Sequence, residues 1–388
     1  MDFSLTDAQI QLREEVVRLC ARFDDNYWVE RDDTATFPHE FFNAMAEAGW
    51  LGVAMPEAYG GAGLGITEAA IVMRAVAEAG GAMQAASAIH INIFGLNPVI
   101  VYGTEEQKRR MLPPLIAGKE KACFGVTEPN AGLNTTEIST RAERHGDHYR
   151  VFGQKIWTST AQVANKILLL ARTTPLDQVK RKSHGLTLFY TDLDKTKADV
   201  RLIHKMGRHG VDSNMVFFDD MRIPVEDRIG EEGEGFKCIL HGLNPERVLV
   251  ASEAIGIGHC ALARAATYAR ERRVFNRPIG QNQGIQHPLA KNWAELEAAN
   301  LMVMKAATMY DQGLECGVEA NAAKYLAAEA GFHACEQAIM THGGMGYARE
   351  FHVERYFREV MLTRIAPVSR ELVLSYLAER VLGQPKSY

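Results

Sequence analysis

Residues 123–136 read Cys-Phe-Gly-Val-Thr-Glu-Pro-Asn-Ala-Gly-Leu-Asn-Thr-Thr, and residues 153–160 read Gly-Gln-Lys-Ile-Trp-Thr-Ser-Thr. The first stretch begins like a β-strand and continues into a turn with proline and glycine that would expose backbone N–H groups. The second places an aromatic plane beside small hydroxyls on one short strand, which suits contact with a planar ring that forms hydrogen bonds. Each stretch also has an ordinary explanation when taken alone. The first would then be a hairpin connection, and the second a core tryptophan with surface hydroxyls.

The chain changes character on either side of these stretches. Residues 1–121 are predicted to form a helical domain whose first helix is capped by Thr6 or Asp7. Residues 122–232 alternate short β-branched and aromatic runs with turn signals, which predicts a β domain. Residues 233–388 show the long, alanine-rich helical periodicity that is typical of a bundle. The predicted fold class is therefore mainly α with a central β domain.

Composition narrows the classes of function. The net charge is −5, so no overall basic field attracts nucleic acid or anionic membranes. The cysteines are scattered without a C-x-x-C pair, which argues against a disulfide framework or a structural zinc site, and the histidines show no metal-ligand spacing, so no metal is expected. The first residues resemble neither a signal peptide nor a transit peptide, and continuous apolar runs such as 167–171 are too short to cross a bilayer. A cytoplasmic protein without a membrane span is expected.

Further segments follow in a fixed order. They are residues 205–210 (Lys-Met-Gly-Arg-His-Gly), 217–224 (Phe-Phe-Asp-Asp-Met-Arg-Ile-Pro), 230–236 (Gly-Glu-Glu-Gly-Glu-Gly-Phe), 268–279 (Tyr-Ala-Arg-Glu-Arg-Arg-Val-Phe-Asn-Arg-Pro-Ile) and 341–350 (Thr-His-Gly-Gly-Met-Gly-Tyr-Ala-Arg-Glu). Together with the first two stretches, they resemble the acyl-CoA dehydrogenases over essentially the whole chain. The resemblance implies an N-terminal helical domain, a central β-barrel and a C-terminal four-helix bundle, usually assembled as a homotetramer. It also implies bound FAD, α,β-dehydrogenation of an acyl-CoA thioester as in fatty acid β-oxidation, and transfer of the electrons to an electron-transfer flavoprotein.

The resemblance assigns the flavin ring to the two stretches quoted first. Phe124, Val126 and Thr127 would line the isoalloxazine and form hydrogen bonds with its pyrimidine edge, and Trp157 would lie beside the ring. Ser159, where relatives more often have threonine, would lie near flavin N5. The positions implied for the rest of FAD, partly across a subunit interface, are Arg272, Phe275, Gln283, Met340, Gly343, Gly344, Ser369 and Glu371.

Three further positions depart from the family pattern, besides Ser159. Met340 stands where many relatives have glutamine, and Leu133 stands where they commonly have serine, so a polar contact is lost at each. Leu133 and its neighbour Gly132 are expected to contact the substrate. At the position of Pro367, relatives use a backbone N–H to hold the thioester oxygen, and proline has none. Either the amide of Val368 takes over this role or the oxyanion site is weaker.

The implied reaction needs a carboxylate that removes the α-proton while the β-hydrogen leaves as hydride to flavin N5. Many relatives carry this glutamate near the C-terminus, at a position that is proline here. A minority, including isovaleryl-CoA and long-chain dehydrogenases, carry it on a helix immediately before an arginine, as in residues 243–249 (Leu-Asn-Pro-Glu-Arg-Val-Leu). Glu246 is thus the expected base, beside Asn244 and Arg247 as substrate-binding residues. Pro245 predicts a helix that begins near Asn244, with a dipole that favours the carboxylate. The alternative is a solvated first-turn glutamate.

Other functions on the same fold stay open at this point. An acyl-CoA oxidase would be reoxidised rapidly by oxygen, and a flavin monooxygenase would not need Glu246. A non-catalytic flavin-binding adaptor would not reduce its flavin with any thioester. The acyl chain itself is not specified by these motifs.

Overall fold

The N-terminal part of the chain is helical. The computed structural model describes residues 3–387. The helices of this part are α1 (Asp7–Cys20), α2 (Asp25–Thr34), α3 (His39–Glu47), α4 (Ile66–Val76), α5 (Ala82–Phe94), α6 (Asn97–Tyr102) and α7 (Glu105–Ile116). The predicted cap of α1 is confirmed at Thr6, because its hydroxyl accepts from the Gln9 amide and the Gln9 side chain accepts from the Thr6 amide. A π-helical turn, Ala77–Gly81, joins α4 to α5.

The middle of the chain forms one mixed eight-stranded sheet. Its strands are β1 (Ala122–Gly125), β2 (Arg141–His145), β3 (His148–Ser159), β4 (Lys166–Arg172), β5 (Leu186–Asp192), β6 (Ala198–Leu202), β7 (Ser213–Pro224) and β8 (Arg228–Ile229). They pair in the order β6-β7-β3-β2-β4-β5-β8, and β1 lies parallel to β4. This sheet is the central β domain that the sequence predicted. Within residues 3–387, no ladder of backbone hydrogen bonds joins β6 to β8.

Long helices return after the sheet. They are α8 (Gly235–Glu271), α9 (Gln283–Asp311), α10 (Gly317–His342), α11 (Val353–Ile365) and α12 (Arg370–Val381), and a short hairpin of β9 (Arg273–Val274) and β10 (Arg277–Pro278) separates α8 from α9. Helices α8, α9 and α10 pack against one another, and α11 and α12 pack on α10. The predicted C-terminal bundle is therefore present.

The expected start of the helix that carries Glu246 is wrong. Helix α8 begins at Gly235, so Pro245 lies inside it and not in its first turn. Proline has no N–H for the bond to the His241 carbonyl one turn earlier, but the helix continues because its flanks are buried. In the part of α8 that follows Pro245, a Cβ at Gly256 would lie 2.4 Å from the Arg74 carbonyl oxygen. Glycine at this position therefore lets α8 approach α4 closely.

One hydrophobic core joins the N-terminal helices to the bundle. It contains Val72 and Val76 of α4, Ile89 of α5, and Val248 and Ile255 of α8, all almost fully buried. Burial of this continuous apolar surface fixes α5 against the middle of α8. The residues around position 246 are thereby held beside α5.

Two helical segments have the length and mean hydropathy of a membrane span. They are Ile66–Tyr102 and Gly235–Glu271, and their most apolar windows are 61% and 78% buried within the fold. Polar residues divide both segments, so neither contains a long uninterrupted apolar run. Their burial identifies them as the core helices just described.

Candidate active site

The 123–136 and 153–160 stretches lie side by side. The Ile156 amide donates to the Thr127 carbonyl oxygen at 2.9 Å, which extends β1 along β3. The pairing of β3 with β7 shifts register between Lys155 and Thr158, and Trp157 in this bulge has a φ of 61°. A bulge re-aims side chains at the edge of a sheet. The Trp157 ring is accordingly 56% exposed beside Thr127.

A buried ion pair ties these stretches together. Lys155 Nζ donates to Glu128 Oε1 at 2.8 Å and to the Val126 carbonyl at 3.0 Å. Glu128 also accepts from the amides of Ser139 and Thr140. Burial opposes the charge of Glu128, but Lys155 and these amides outweigh it and lower the pKa of Glu128 to about 2. No motif in the sequence singled out this pair.

Helix α5 forms a wall that connects the remaining elements. Ser87, His90 and Phe94 are three or four residues apart, so they lie on one face of the helix. The Phe94 ring packs edge-on against Phe124 of β1, with ring centroids 5.8 Å apart. Nδ1 of His90 lies 2.5 Å from Glu253 Oε1 on α8. The face therefore bridges the strand assigned to the flavin and the helix that carries the expected base.

Arg208 is a buried cation behind Ser159. Its guanidinium donates to the hydroxyls of Ser159 at 3.0 Å, Ser213 at 2.9 Å and Ser87 at 3.1 Å. Its Nε has no partner, and burial lowers the pKa of Arg208. Because the arginine donates to Ser159, the Ser159 hydroxyl proton is free to point elsewhere. The 205–210 motif contains Arg208, but nothing in the sequence placed it beside Ser159.

Glu246 lies well inside α8, so the expected help from the helix dipole does not reach its carboxylate. Burial raises the pKa of Glu246, against the opposing charges of His90 and Arg247. Glu246 is therefore a partly buried residue inside the helix and not the first-turn acid of the alternative interpretation. Arg247 Nη1 donates to Asn244 Oδ1 at 3.1 Å, so the two residues expected to bind substrate are paired.

The loops expected near the thioester lie at the ends of helices and strands. Gly132 and Leu133 are exposed in the connection between β1 and β2. Ser369 caps α12 by accepting from the Leu372 amide at 3.3 Å. Glu371 is exposed and pairs with Arg370 at 2.8 Å. The structure gives these side chains no hydrogen bond to Glu246 within residues 3–387.

A second group of predicted FAD residues lies apart from the α5 wall. It consists of Arg272, Phe275, Gln283, Met340, Gly343 and Gly344. All are exposed; Phe275 is 93% exposed at a φ of 51°, and Met340 is 68% exposed. In the described part of the chain, no hydrogen bond, ion pair or ring contact joins them to the α5 wall. Open apolar side chains of this size suit a surface that a partner or a ligand covers.

The residues on the α5 side fit a flavin. The exposed indole of Trp157 provides a flat apolar face. The hydroxyl of Ser159 provides a hydrogen-bond donor, and Arg208 behind it provides a positive charge. Gly343 and Gly344 have open space where a Cβ would stand, so a ligand's phosphates can approach their backbone closely. Residues 3–387 contain no group of three or more His, Cys, Asp or Glu side chains arranged to hold a metal ion, and all six cysteines are free and buried.

Three family models match most of the chain. They are described as the N-terminal, middle and C-terminal domains of acyl-CoA dehydrogenase, and they match residues 6–119, 123–221 and 233–382. The chain is 36% identical over 386 residues to acyl-CoA dehydrogenase FadE12 of Mycobacterium tuberculosis, which covers 97% of this chain and 96% of the relative. It is 33% identical to the caffeyl-CoA reductase-Etf complex subunit CarC of Acetobacterium woodii, over 85% of this chain and 86% of that protein. The structure of butyryl-CoA dehydrogenase from Megasphaera elsdenii superposes with a TM-score of 0.91 at 29% identity, over 98% of this chain and 100% of that one.

Proposed function

The chain belongs to the acyl-CoA dehydrogenase family and is an FAD-dependent oxidoreductase acting on the CH–CH group of acyl-CoA, and on that premise we propose that Glu246 is its catalytic base. The observation that carries this assignment is the partly buried position of Glu246 on α8, the helix that packs against α5, where burial raises the pKa of its carboxyl. A carboxyl whose pKa is raised toward neutrality removes a proton more effectively than a solvated one.

The flavin would be held by the elements around Trp157. Phe124, Val126 and Thr127 form one edge, Trp157 covers a face, and Ser159 donates its free hydroxyl proton. Bound FAD supplies, at N5, the acceptor for the β-hydride. The chain's own task is to orient the thioester, exclude water and take the α-proton.

Glu246 would take that proton onto its carboxylate. Asn244 lies two residues before the base and Arg247 directly after it, and the two side chains form a hydrogen bond. One rigid helix therefore positions all three residues. We assign Asn244 and Arg247 to the acyl-CoA site on this ground, and Gly132 and Leu133 because they are exposed in the loop that follows the flavin strand β1. Proline at position 367 has no N–H, and the neighbouring Val368 carbonyl accepts from Lys324 Nζ at 2.5 Å, which leaves the Val368 amide as the candidate donor to the thioester oxygen.

Anaerobic titration with a panel of short, branched and long acyl-CoA thioesters tests the proposed function. We expect at least one thioester to bleach the flavin absorption band, and electron-transfer flavoprotein to restore it faster than oxygen does. Rapid recovery in oxygen would instead indicate an acyl-CoA oxidase. A flavin that no thioester perturbs would contradict dehydrogenation.

The acceptor and the assembly are part of the same proposal. The similar protein CarC is named as a subunit of a complex with Etf, an electron-transfer flavoprotein, which supports such a partner for this chain. The exposed Phe275 and Met340 support a homotetramer in which a second subunit covers Arg272, Gln283 and the two glycines at 343 and 344. We place the protein in the cytoplasm, with domains at 1–121, 122–232 and 233–388.

Arg208 should set the reduction potential of the flavin. In the Arg208→Gln variant the buried positive charge is gone, and the shorter side chain no longer reaches Ser159 and Ser213 as Nη2 does. Because reduction adds negative charge to the ring, we expect the FAD midpoint potential to become more negative by roughly 30 mV or more, equivalent to about 1.4 kcal/mol for a two-electron couple. Dye-coupled reductive titration measures it, with exposed Arg201→Gln of β6 as the control. An unchanged potential at full FAD occupancy would remove Arg208 from this role.

A further inference from the structure

A buried histidine–glutamate pair joins α5 to the helix that carries Glu246, and the proposed removal of the α-proton does not use it. His90 Nδ1 and Glu253 Oε1 are 2.5 Å apart, and the two side chains are 12% and 2% exposed. Glu253 follows Glu246 by two helical turns on α8, so both carboxylates lie on the face directed at α5. We propose that His90, held by Glu253, is a positioning residue that keeps Glu246 ionised and ready to accept the α-proton. This inference rests on the proposed role of Glu246.

The imidazole is fixed from two sides. Glu253 holds Nδ1 from α8, and the Phe94 ring packs against the imidazole with centroids 4.6 Å apart. Phe94 in turn contacts Phe124 of the flavin strand. His90 therefore lies between β1, the strand assigned to the cofactor, and α8, the helix that carries the base. A buried imidazole needs a hydrogen-bond partner, and here that partner is a carboxylate, which favours the charged form of the ring.

The charges around the pair determine its effect. His90 is faced by Glu253, Glu246 and Arg208, and Glu246 is faced by His90, Arg247 and Glu253. Burial lowers the pKa of His90, but the Glu253 carboxylate outweighs burial and raises it overall. The carboxylate therefore favours the protonated, positively charged form of His90. That charge counteracts the burial of Glu246 and offsets the like charge of Glu253, so the base stays a carboxylate at a lower pH than burial alone would allow.

The His90→Gln variant tests this role in the flavin-loaded enzyme. Glutamine keeps a hydrogen bond to Glu253 but carries no charge. We expect the midpoint of the pH profile for flavin reduction to rise by about one pH unit or more, with an unchanged Kd for the acyl-CoA. Well below the midpoint, the rate of flavin reduction should fall about tenfold for each pH unit by which the midpoint rises.

A second readout needs no turnover. The C=O stretch of protonated Glu246, identified by its loss in Glu246→Gln, is followed by infrared difference spectroscopy as the pH is changed. Its midpoint should rise in His90→Gln by the same amount. Glu253→Gln should raise it by a smaller amount, because His90 without its counterion loses its proton while the like charge of Glu253 near Glu246 is removed as well. This variant decides the question if His90→Gln does not fold.

The matched control is His145→Gln, which removes a half-exposed histidine 3.9 Å from Glu143 on the β domain and should leave both midpoints unchanged. Superimposable profiles for His90→Gln and wild type would overturn the inference. A rate lowered equally at every pH would also overturn it, since that result indicates packing alone. If Glu246→Gln still reduces the flavin, the proposed base is wrong. If Glu246→Gln is inactive and the His90→Gln midpoint is unmoved, only the present inference fails.

Discussion

Replacing Glu246 by glutamine is expected to slow flavin reduction by an acyl-CoA by about 10²- to 10⁴-fold, the usual contribution of a positioned general base. Glutamine has nearly the same shape as glutamate, so the packing of α8 against α5 and the binding of the thioester should persist. The loss should therefore appear in the rate of bleaching and not in the Kd. Anaerobic stopped-flow absorbance at the flavin band measures the rate, and the perturbation of that band on mixing reports binding.

A matched control separates the base from a general effect of removing a carboxylate. Glu336 is an exposed glutamate on α10, and Glu336→Gln should reduce the flavin at the wild-type rate. Glu246→Asp keeps the charge but withdraws it by one methylene, so an intermediate rate is expected. Normal bleaching by Glu246→Gln would show that another group takes the α-proton. In the described structure the next candidate would be Glu253, which lies two turns further along α8 and whose carboxylate also faces α5.

The fold was largely readable from sequence because its signals are local. The capping box at Thr6 and the alanine-rich periods of α8 to α10 depend on residues a few positions apart. The sequence predicts the start of α8 too late, because proline is typical of a first helical turn and Pro245 lies inside the helix. Tertiary packing kept the helix intact through this proline, and no local pattern reports that packing.

The site was only partly readable for the same physical reason. Trp157 and Ser159 belong to one strand, and Asn244, Glu246 and Arg247 to one helical turn, so motifs could point to them. His90 and Glu253 are 163 positions apart, and Arg208 lies 49 positions from Ser159. The sequence around one of these residues does not indicate which distant residue it contacts. Only the packing of α5 between β1 and α8 shows that these side chains meet.

Breaking the buried ion pair between Lys155 and Glu128 is expected to have the largest effect on stability. Lys155→Met leaves the Glu128 carboxylate without its cation, and Glu128→Gln leaves the ammonium without its anion. Each should lower the free energy of unfolding by about 3–5 kcal/mol, since removal of one partner leaves a buried charge uncompensated. Urea unfolding followed by tryptophan fluorescence, at one fixed protein concentration, measures the change. The exposed pair of Arg201 and Asp199 is the control, and Arg201→Gln should cost about 0–1 kcal/mol.

The pH dependence of stability has a definite sign at Glu128. Its pKa is about 2 in the folded chain, below the ordinary 4.5, so the unfolded chain binds the proton more readily. The stabilisation is fully present above pH 4.5 and is lost as the pH falls toward 2, and Glu128→Gln should remove that part of the acid dependence.

The double variant Lys155→Met/Glu128→Leu leaves no buried charge and should recover much of the stability that either single variant loses. If the double variant is stable but binds FAD poorly, the pair serves to hold the 123–136 and 153–160 stretches in register for the flavin. If it is as unstable as either single variant, the hydrogen bonds from Ser139 and Thr140 to Glu128, and not the ion pair, hold this part of the sheet.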